Sequence, residues 1–117
     1  MEIVKILSED KIVLSIKGKL SAASAGEFNA AVEEALGESP ALVLDFTEVD
    51  YMASAGLRVL VAAQKRLSAS GGSLTLLNVR KEVLEVFEVT GLDEVLDIRQ
   101  NGRDPVTGPR GSRGETG

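Results

Sequence analysis

The apolar residues of this chain change their spacing along the sequence, and this change constrains the fold more than any other feature. Ile12, Leu14 and Ile16 alternate with their neighbours, a period of two that is typical of a strand with one buried face. Residues 21–36 then carry apolar side chains three and four positions apart, which predicts an amphipathic helix. Both periods recur as far as residue 98, so we expect an α/β domain.

The predicted order of elements is β-β-α-β-α-β-α-β, in which the first two strands form a hairpin. Strands are expected at residues 2–7, 12–16, 41–46, 73–79 and 95–98, and helices at residues 21–36, 55–68 and 81–89. Strands that alternate with helices form parallel sheets, so we expect a single domain with a mixed four- to five-stranded sheet and three helices. The nearly continuous apolar run at 41–46 predicts a strand that is buried on both faces.

The residue types that are missing exclude several kinds of chemistry. The chain has no cysteine and no histidine, which excludes disulfides, thiolate chemistry, zinc sites of the usual kind and histidine acid–base catalysis. The acidic residues Asp45, Glu48 and Asp50 are interpreted as a solvated turn, because no histidine, second cluster or nucleophile accompanies them. We therefore expect a binding module without metal or cofactor, and not an enzyme.

Charge and aromatic content restrict the partners. The net charge is -5, and residues 1–99 carry -6, which disfavours nucleic acids and anionic membrane surfaces. Only 3% of the residues are aromatic, too few for base-stacking platforms. The N-terminus lacks a basic region followed by an apolar run, and no apolar stretch approaches the length of a membrane span. We therefore expect a cytoplasmic protein that binds another protein.

Residues 100–117 differ in composition from the rest of the chain. The segment is rich in glycine and proline and contains a single strongly apolar residue, Val106, so we expect a disordered tail after a domain at residues 1–99. Glycine recurs at every third position from Gly108 to Gly117, a collagen-like pattern that is too short for a stable triple helix.

The stretch LDFTEVDYMASAGLRVLVAAQKRL, residues 44–67, resembles the signature of the STAS domain, in particular that of the bacterial anti-sigma factor antagonists. The matching residues are Asp45, Tyr51, Met52, Ser54, Gly56 and Leu57. The resemblance extends over about residues 2–99 and includes Gly71-Gly72 and the segment at 86–92. Two positions depart from the pattern. Ala53 replaces the usual Asp, and the first βα loop reads Gly18-Lys19-Leu20-Ser21, where many relatives have an Asp after Gly-x-Leu/Ile. Both departures remove carboxylates near the serine.

The resemblance implies a regulatory mechanism. Unphosphorylated antagonists bind an anti-sigma factor, often a serine kinase, and so release a sigma factor. Phosphorylation of the serine, here Ser54, blocks this binding, and a serine phosphatase restores it. We expect the free protein to be a monomer. Two alternatives stay open: a STAS subunit that docks on the ATPase of a lipid transporter, and a sensor that holds a nucleotide or another small ligand near the first βα loop.

Helical geometry predicts where the second helix meets a partner. At 100° per residue, Ser54, Arg58, Val61 and Lys65 share one stripe, and Leu60 points toward the core with Ala63 and Leu67. Ser54 is expected to cap the helix, where a phosphate would meet free N–H groups and the helix dipole. Gly56 is expected to allow close packing or the approach of a partner backbone. The expected partner-binding residues are Ser21, Met52, Ala53, Ser54, Ala55, Gly56, Arg58, Val61, Ala62 and Lys65.

Overall fold

A computed structural model describes residues 1–100 of the chain. The strands are β1 Glu2–Ser8, β2 Lys11–Leu20, β3 Ala41–Met52, β4 Ser73–Leu77 and β5 Asp97–Arg99, and the helices are α1 Ala25–Leu36, α2 Ser54–Ala69 and α3 Lys81–Thr90. A short 3-10 turn at Leu92–Glu94 precedes β5. The order of elements and the number of helices agree with the sequence-based prediction. The tail predicted from residue 100 onward lies almost entirely outside the described residues.

The five strands form one mixed sheet in the order β1-β2-β3-β4-β5. β1 pairs antiparallel with β2 through the predicted hairpin, and the other neighbouring strands are parallel. Each parallel connection is a helix, and each moves one strand further in the same direction. Because such crossovers are right-handed, all three helices are expected on the same face of the sheet.

The burial pattern agrees with a sheet that is covered on one face. In β3, Leu42, Leu44 and Phe46 are fully buried, whereas Ala41 and Val43 on the opposite face are half exposed. The prediction that this strand is buried on both faces is therefore wrong. An apolar run of six residues does not reveal one-sided burial, because a half-exposed Val or Ala is common on protein surfaces.

Several element boundaries differ from the predicted ones. β3 continues to Met52 because its second half pairs with β2, with Gly18 opposite Val49 and Leu20 opposite Met52. Glu48 and Asp50 therefore lie in a strand, and the interpretation of this segment as a solvated turn is wrong.

The ends of the later elements also shift. β4 ends earlier than predicted, before Asn78, whose φ of 57° is left-handed and incompatible with a strand. The side chain of Gln100 hydrogen-bonds both backbone groups of Val79, at 2.9 and 2.8 Å, so the domain extends to residue 100.

The first helical residue of α1 is Ala25 and its N-cap residue is Ser24, one of the two serines, Ser21 and Ser24, at which the sequence allows this helix to start. Ser24 holds the preceding loop: its Oγ donates to the Lys19 carbonyl at 2.7 Å and accepts from the Ser21 N–H at 2.9 Å. Neither serine caps the helix through its side chain. Within residues 1–100, no helix combines the length and apolar character needed to cross a bilayer.

Candidate protein-docking site

The start of α2 is fixed by the end of β2. The Ala53 N–H donates to the Leu20 carbonyl at 2.8 Å, and the Ala53 carbonyl accepts from the N–H groups of Gly56 and Leu57. Ala53, in an extended conformation, is therefore the N-cap residue. Ser54 is the first residue inside the helix and makes no capping hydrogen bond, so the expectation that Ser54 caps the helix is wrong. Its exposed hydroxyl is left available for other chemistry.

Gly56 and Met52 hold the helix against the sheet. Both residues are buried, and Met52 is only 5% exposed. A Cβ added to Gly56 would lie 2.7 Å from Met52 Sδ and 3.4 Å from Leu20 Cβ, so α2 approaches the strands closely here. The expectation that these two residues contact a partner is corrected, because neither reaches the surface. They position Ser54 instead.

The outer side of α2 carries an open groove of about 430 Å³. The residues that line this docking groove are Ser54, Leu57, Arg58, Val61, Ala62 and Lys65. All four residues of the predicted stripe, together with the expected partner-binding residue Ala62, are therefore brought together on one surface. Val61, Leu57 and Ala62 form its apolar part. Val61 and Leu57 are partly exposed, and the other members are exposed.

The inner side of α2 packs into the core. Leu60, Ala63 and Leu67 are at most 3% exposed and belong to the main apolar cluster. This confirms the helix phase that the sequence predicted. Leu57 has a double role, since it packs against the core and also lines the docking groove.

The three basic side chains of α2 fall into two groups. Arg66 is directed toward α1, where it forms an ion pair with Glu33. Arg58 and Lys65 line the docking groove, and neither takes part in an ion pair within residues 1–100. The groove thus combines apolar side chains with two cations that are free to meet carboxylates of another molecule.

A second set of residues lies beside the start of α2, at the carboxyl ends of β2 and β3. Tyr51 is 49% exposed, and Lys19 Nζ lies 6.0 Å from its ring centroid and 3.5 Å from Asp50 Oδ1. Ser21 follows Leu20, whose carbonyl accepts a hydrogen bond from the N-cap residue Ala53. Ser21 therefore lies at this edge of the sheet and not on the predicted stripe of α2. Tyr51 and Leu57 were not among the expected partner-binding residues, although the signature contains both. Exposed tyrosines are enriched at protein interfaces, but Tyr51 does not line the groove of α2.

The acidic residues near the site serve local structure. Asp45 Oδ1 accepts hydrogen bonds from the N–H and Oγ1 of Thr47, and Asp50 pairs with Lys19. In the part of the chain that the structure describes, no group of three or more His, Cys, Asp or Glu residues is placed to hold a metal ion. The arrangement suits docking, since an apolar groove, two cations and one accessible hydroxyl meet on a rigid helix.

Fold and site together describe a small α/β domain whose second helix carries an open groove with apolar side chains, two cations and an accessible hydroxyl. A family model described as "Mlab, STAS domain" matches residues 6–98, and the chain belongs to the STAS family. The chain thus has the family's fold over most of its length.

Three characterised relatives of this chain are anti-sigma factor antagonists. The anti-sigma-B factor antagonist of Listeria monocytogenes is 33% identical over 97 residues, which cover 82% of this chain and 85% of that protein. The anti-sigma-B factor antagonist of Bacillus subtilis is 31% identical, with coverages of 78% and 84%. The anti-sigma-F factor antagonist RsfB of Mycobacterium tuberculosis is 30% identical, with coverages of 86% and 83%.

Solved structures of this group have the same fold. An anti-sigma factor antagonist from Mycobacterium paratuberculosis aligns with a TM-score of 0.75 at 23% identity, covering 84% of each chain. Unphosphorylated SpoIIAA, an anti-sigma factor antagonist, aligns with a TM-score of 0.73 at 19% identity, covering 86% of this chain and 90% of that one. SpoIIAA has also been solved in its phosphorylated form, from Bacillus, which aligns with a TM-score of 0.67.

Proposed function

We propose that this protein is an anti-sigma factor antagonist whose docking groove binds an anti-sigma factor while Ser54 is unphosphorylated. The partner is a serine kinase that also binds a sigma factor, so occupation of the kinase by this protein releases the sigma factor. Transfer of phosphate to Ser54 ends the complex, and a serine phosphatase regenerates the active form. The protein itself acts by binding and not by catalysis.

The observation that carries the proposal is the position of Ser54. The signature serine is exposed as the first residue of α2 and lines the groove with Arg58 and Val61. A kinase can therefore reach the hydroxyl, and whatever is added to it enters the docking surface. The relatives at 30% identity or more that are described above are all named as sigma-regulating antagonists, which supports the same function.

The switch follows from elementary electrostatics. A phosphate adds about -1.5 to -2 charges at pH 7 and three acceptor oxygens. At the first turn of α2 it meets backbone N–H groups that have no partner in the helix, together with the positive end of the helix dipole. The free domain can therefore accept the phosphate without unfolding. In a complex, the same charge would be buried against the partner, at a cost of several kcal/mol unless the partner compensates it.

The alternatives are less well supported. For the transporter subunit, docking alone would need no accessible hydroxyl in the groove, whereas this chain places Ser54 there. For the ligand sensor, the polar groups of the first βα loop already bond one another: Ser24 joins Ser21 and the Lys19 carbonyl. The regulator explains both the groove and the serine.

The proposal is tested by phosphorylation in vitro. The serine kinases with an anti-sigma domain from the source organism are purified and incubated with ATP and either the full chain or its Ser54→Ala variant. Intact-mass analysis should show one added phosphate on the wild type and none on the variant. Equal labelling of both proteins by such a kinase would refute the assignment of Ser54.

A further inference from the structure

Among the three α-helices of residues 1–100, α2, which carries the docking groove, is the one with a net positive charge. The chain has a net charge of -5, but α2 contains three basic residues and no acidic one. In contrast, α1 contains three acidic residues and no basic one, and α3 contains three acidic residues and one lysine. The local charge of the groove is therefore opposite to that of the molecule as a whole.

The two groove cations flank an apolar centre. Arg58 and Lys65 are seven residues apart, which places their backbones about 10 Å apart along the helix axis. Val61 lies between them on the same stripe and is partly exposed. The third cation, Arg66, is already paired with Glu33 and does not line the groove.

We infer that the groove recognises an acidic protein surface, in which an apolar side chain is flanked by carboxylates. The apolar side chain would cover Val61, and the carboxylates would meet Arg58 and Lys65, of which arginine can bind a carboxylate through two parallel hydrogen bonds. This inference rests on the proposed function, because it describes the partner of the same groove.

The departures from the family signature favour the same partner chemistry. Ala53 and Ser21 stand at the two positions where the signature carries carboxylates near the serine. An acidic partner would be repelled by those carboxylates, and their replacement by two neutral residues removes the repulsion. The charge pattern thus discriminates between partners as well as attracting one.

A phosphate on Ser54 would also weaken partner binding through the charges of Arg58 and Lys65. Ser54 precedes Arg58 by four residues, the spacing at which helical side chains meet. A phosphate on Ser54 would pair with Arg58 and cancel most of the positive charge that the two groove cations provide. The groove would then offer the partner's carboxylates Lys65 alone and little net positive charge, in addition to any steric obstruction.

The experiment uses two helical peptides as probes. In the first, one leucine is flanked by a glutamate three residues before it and another four residues after it; in the second, both glutamates are replaced by glutamine. Each peptide is titrated into the full-length isotope-labelled protein, and amide shifts are followed by NMR. The glutamate peptide should shift the amides of the docking groove and bind about tenfold more tightly at low salt, and this preference should shrink at 0.5 M salt.

Matched variants show whether the preference comes from the groove. Arg58→Gln and Lys65→Gln should each reduce the preference roughly threefold or more, while Arg66→Gln, with the same charge change on the same helix, should preserve it. Ser54→Glu should also reduce the preference, and should reduce it less in the Arg58→Gln background. Equal affinity for the two peptides, or an equal effect of the Arg66 variant, would overturn the inference.

The test of the acidic-surface inference and the test of the proposed function can fail independently. If an anti-sigma factor binds the protein but the peptides are not distinguished, the acidic-surface inference alone fails. If the glutamate peptide is preferred but no anti-sigma factor of the source organism binds, the groove keeps its charge specificity and the proposed function fails.

Discussion

The two sides of α2 carry similar apolar side chains and serve opposite purposes. Leu60 on the inner side is completely buried in the core, whereas Val61, the next residue, lies in the docking groove and is partly exposed. A rotation of 100° about the helix axis thus separates a residue that stabilises the fold from one that is available to a partner. Substitutions on the inner side should change the free energy of unfolding, and those on the outer side should change binding.

The largest effect is expected from Leu60→Ala. The side chain is fully buried, so its truncation should leave a cavity and lower the free energy of unfolding by about 2–5 kcal/mol. Chemical denaturation monitored by circular dichroism measures this change. Binding of the anti-sigma factor by the folded fraction should be unaffected. A variant as stable as the wild type would show that Leu60 is not a core residue and that the helix phase is wrong.

Val61→Glu should show the reverse behaviour. The new carboxylate would be buried unpaired against the partner, so binding should weaken by about 1–3 kcal/mol in calorimetric titrations. In the free domain the side chain reaches solvent, so the free energy of unfolding should change by less than about 0.5 kcal/mol. Val89→Glu is the matched control, because Val89 is 88% exposed on α3, outside the groove. If the control weakens binding equally, the groove is not the docking site.

Ser54→Asp should weaken binding less than true phosphorylation does. Aspartate adds one charge and a flat carboxylate, whereas phosphate adds up to two charges and a tetrahedral group. We expect a loss of about 1 kcal/mol relative to the wild type in the same titrations, with thermal stability nearly unchanged. Ser54→Ala should bind as well as the wild type. Tight binding by the aspartate variant together with weak binding by the alanine variant would mean that the hydroxyl itself contacts the partner.

The smallest effect is expected from removal of residues 101–117. The segment is rich in glycine and proline and is poor in residues that could form a core, so its deletion should change the melting temperature by no more than about 2 °C. The deletion must retain Gln100, whose side chain bonds Val79. Sedimentation of both forms checks whether the tail promotes a trimer. A larger fall in melting temperature would show that the tail packs on the domain.

The sequence predicted the fold and the stripe on α2 because both depend on periodicity. The helical period placed Ser54, Val61 and Lys65 on one side of α2 and Leu60 on the other, and these positions are found in the structure. The family signature identifies Ser54, which composition alone does not distinguish from the other serines of the chain.

Other features depend on contacts between distant residues and were not predictable from local pattern. The second half of β3 contains Glu48 and Asp50, which are typical of turns, and it is extended only because β2 pairs with it. Met52 and Gly56 stand in the signature beside Ser54, but the close approach of α2 to Leu20 buries them. Tyr51 is 49% exposed although it lies between two other residues of the signature, and the sequence does not reveal this exposure.

The most direct test of the central claim compares phosphorylated and unphosphorylated protein in one titration. Full-length protein carrying phosphate only on Ser54, verified by intact mass, is titrated calorimetrically against the anti-sigma factor, beside the unmodified protein. We predict that the unmodified protein binds and that the phosphorylated protein binds at least about 100-fold more weakly, while both melt at nearly the same temperature. Equal affinities of the two forms would contradict the claim that Ser54 and the groove of α2 form the switch.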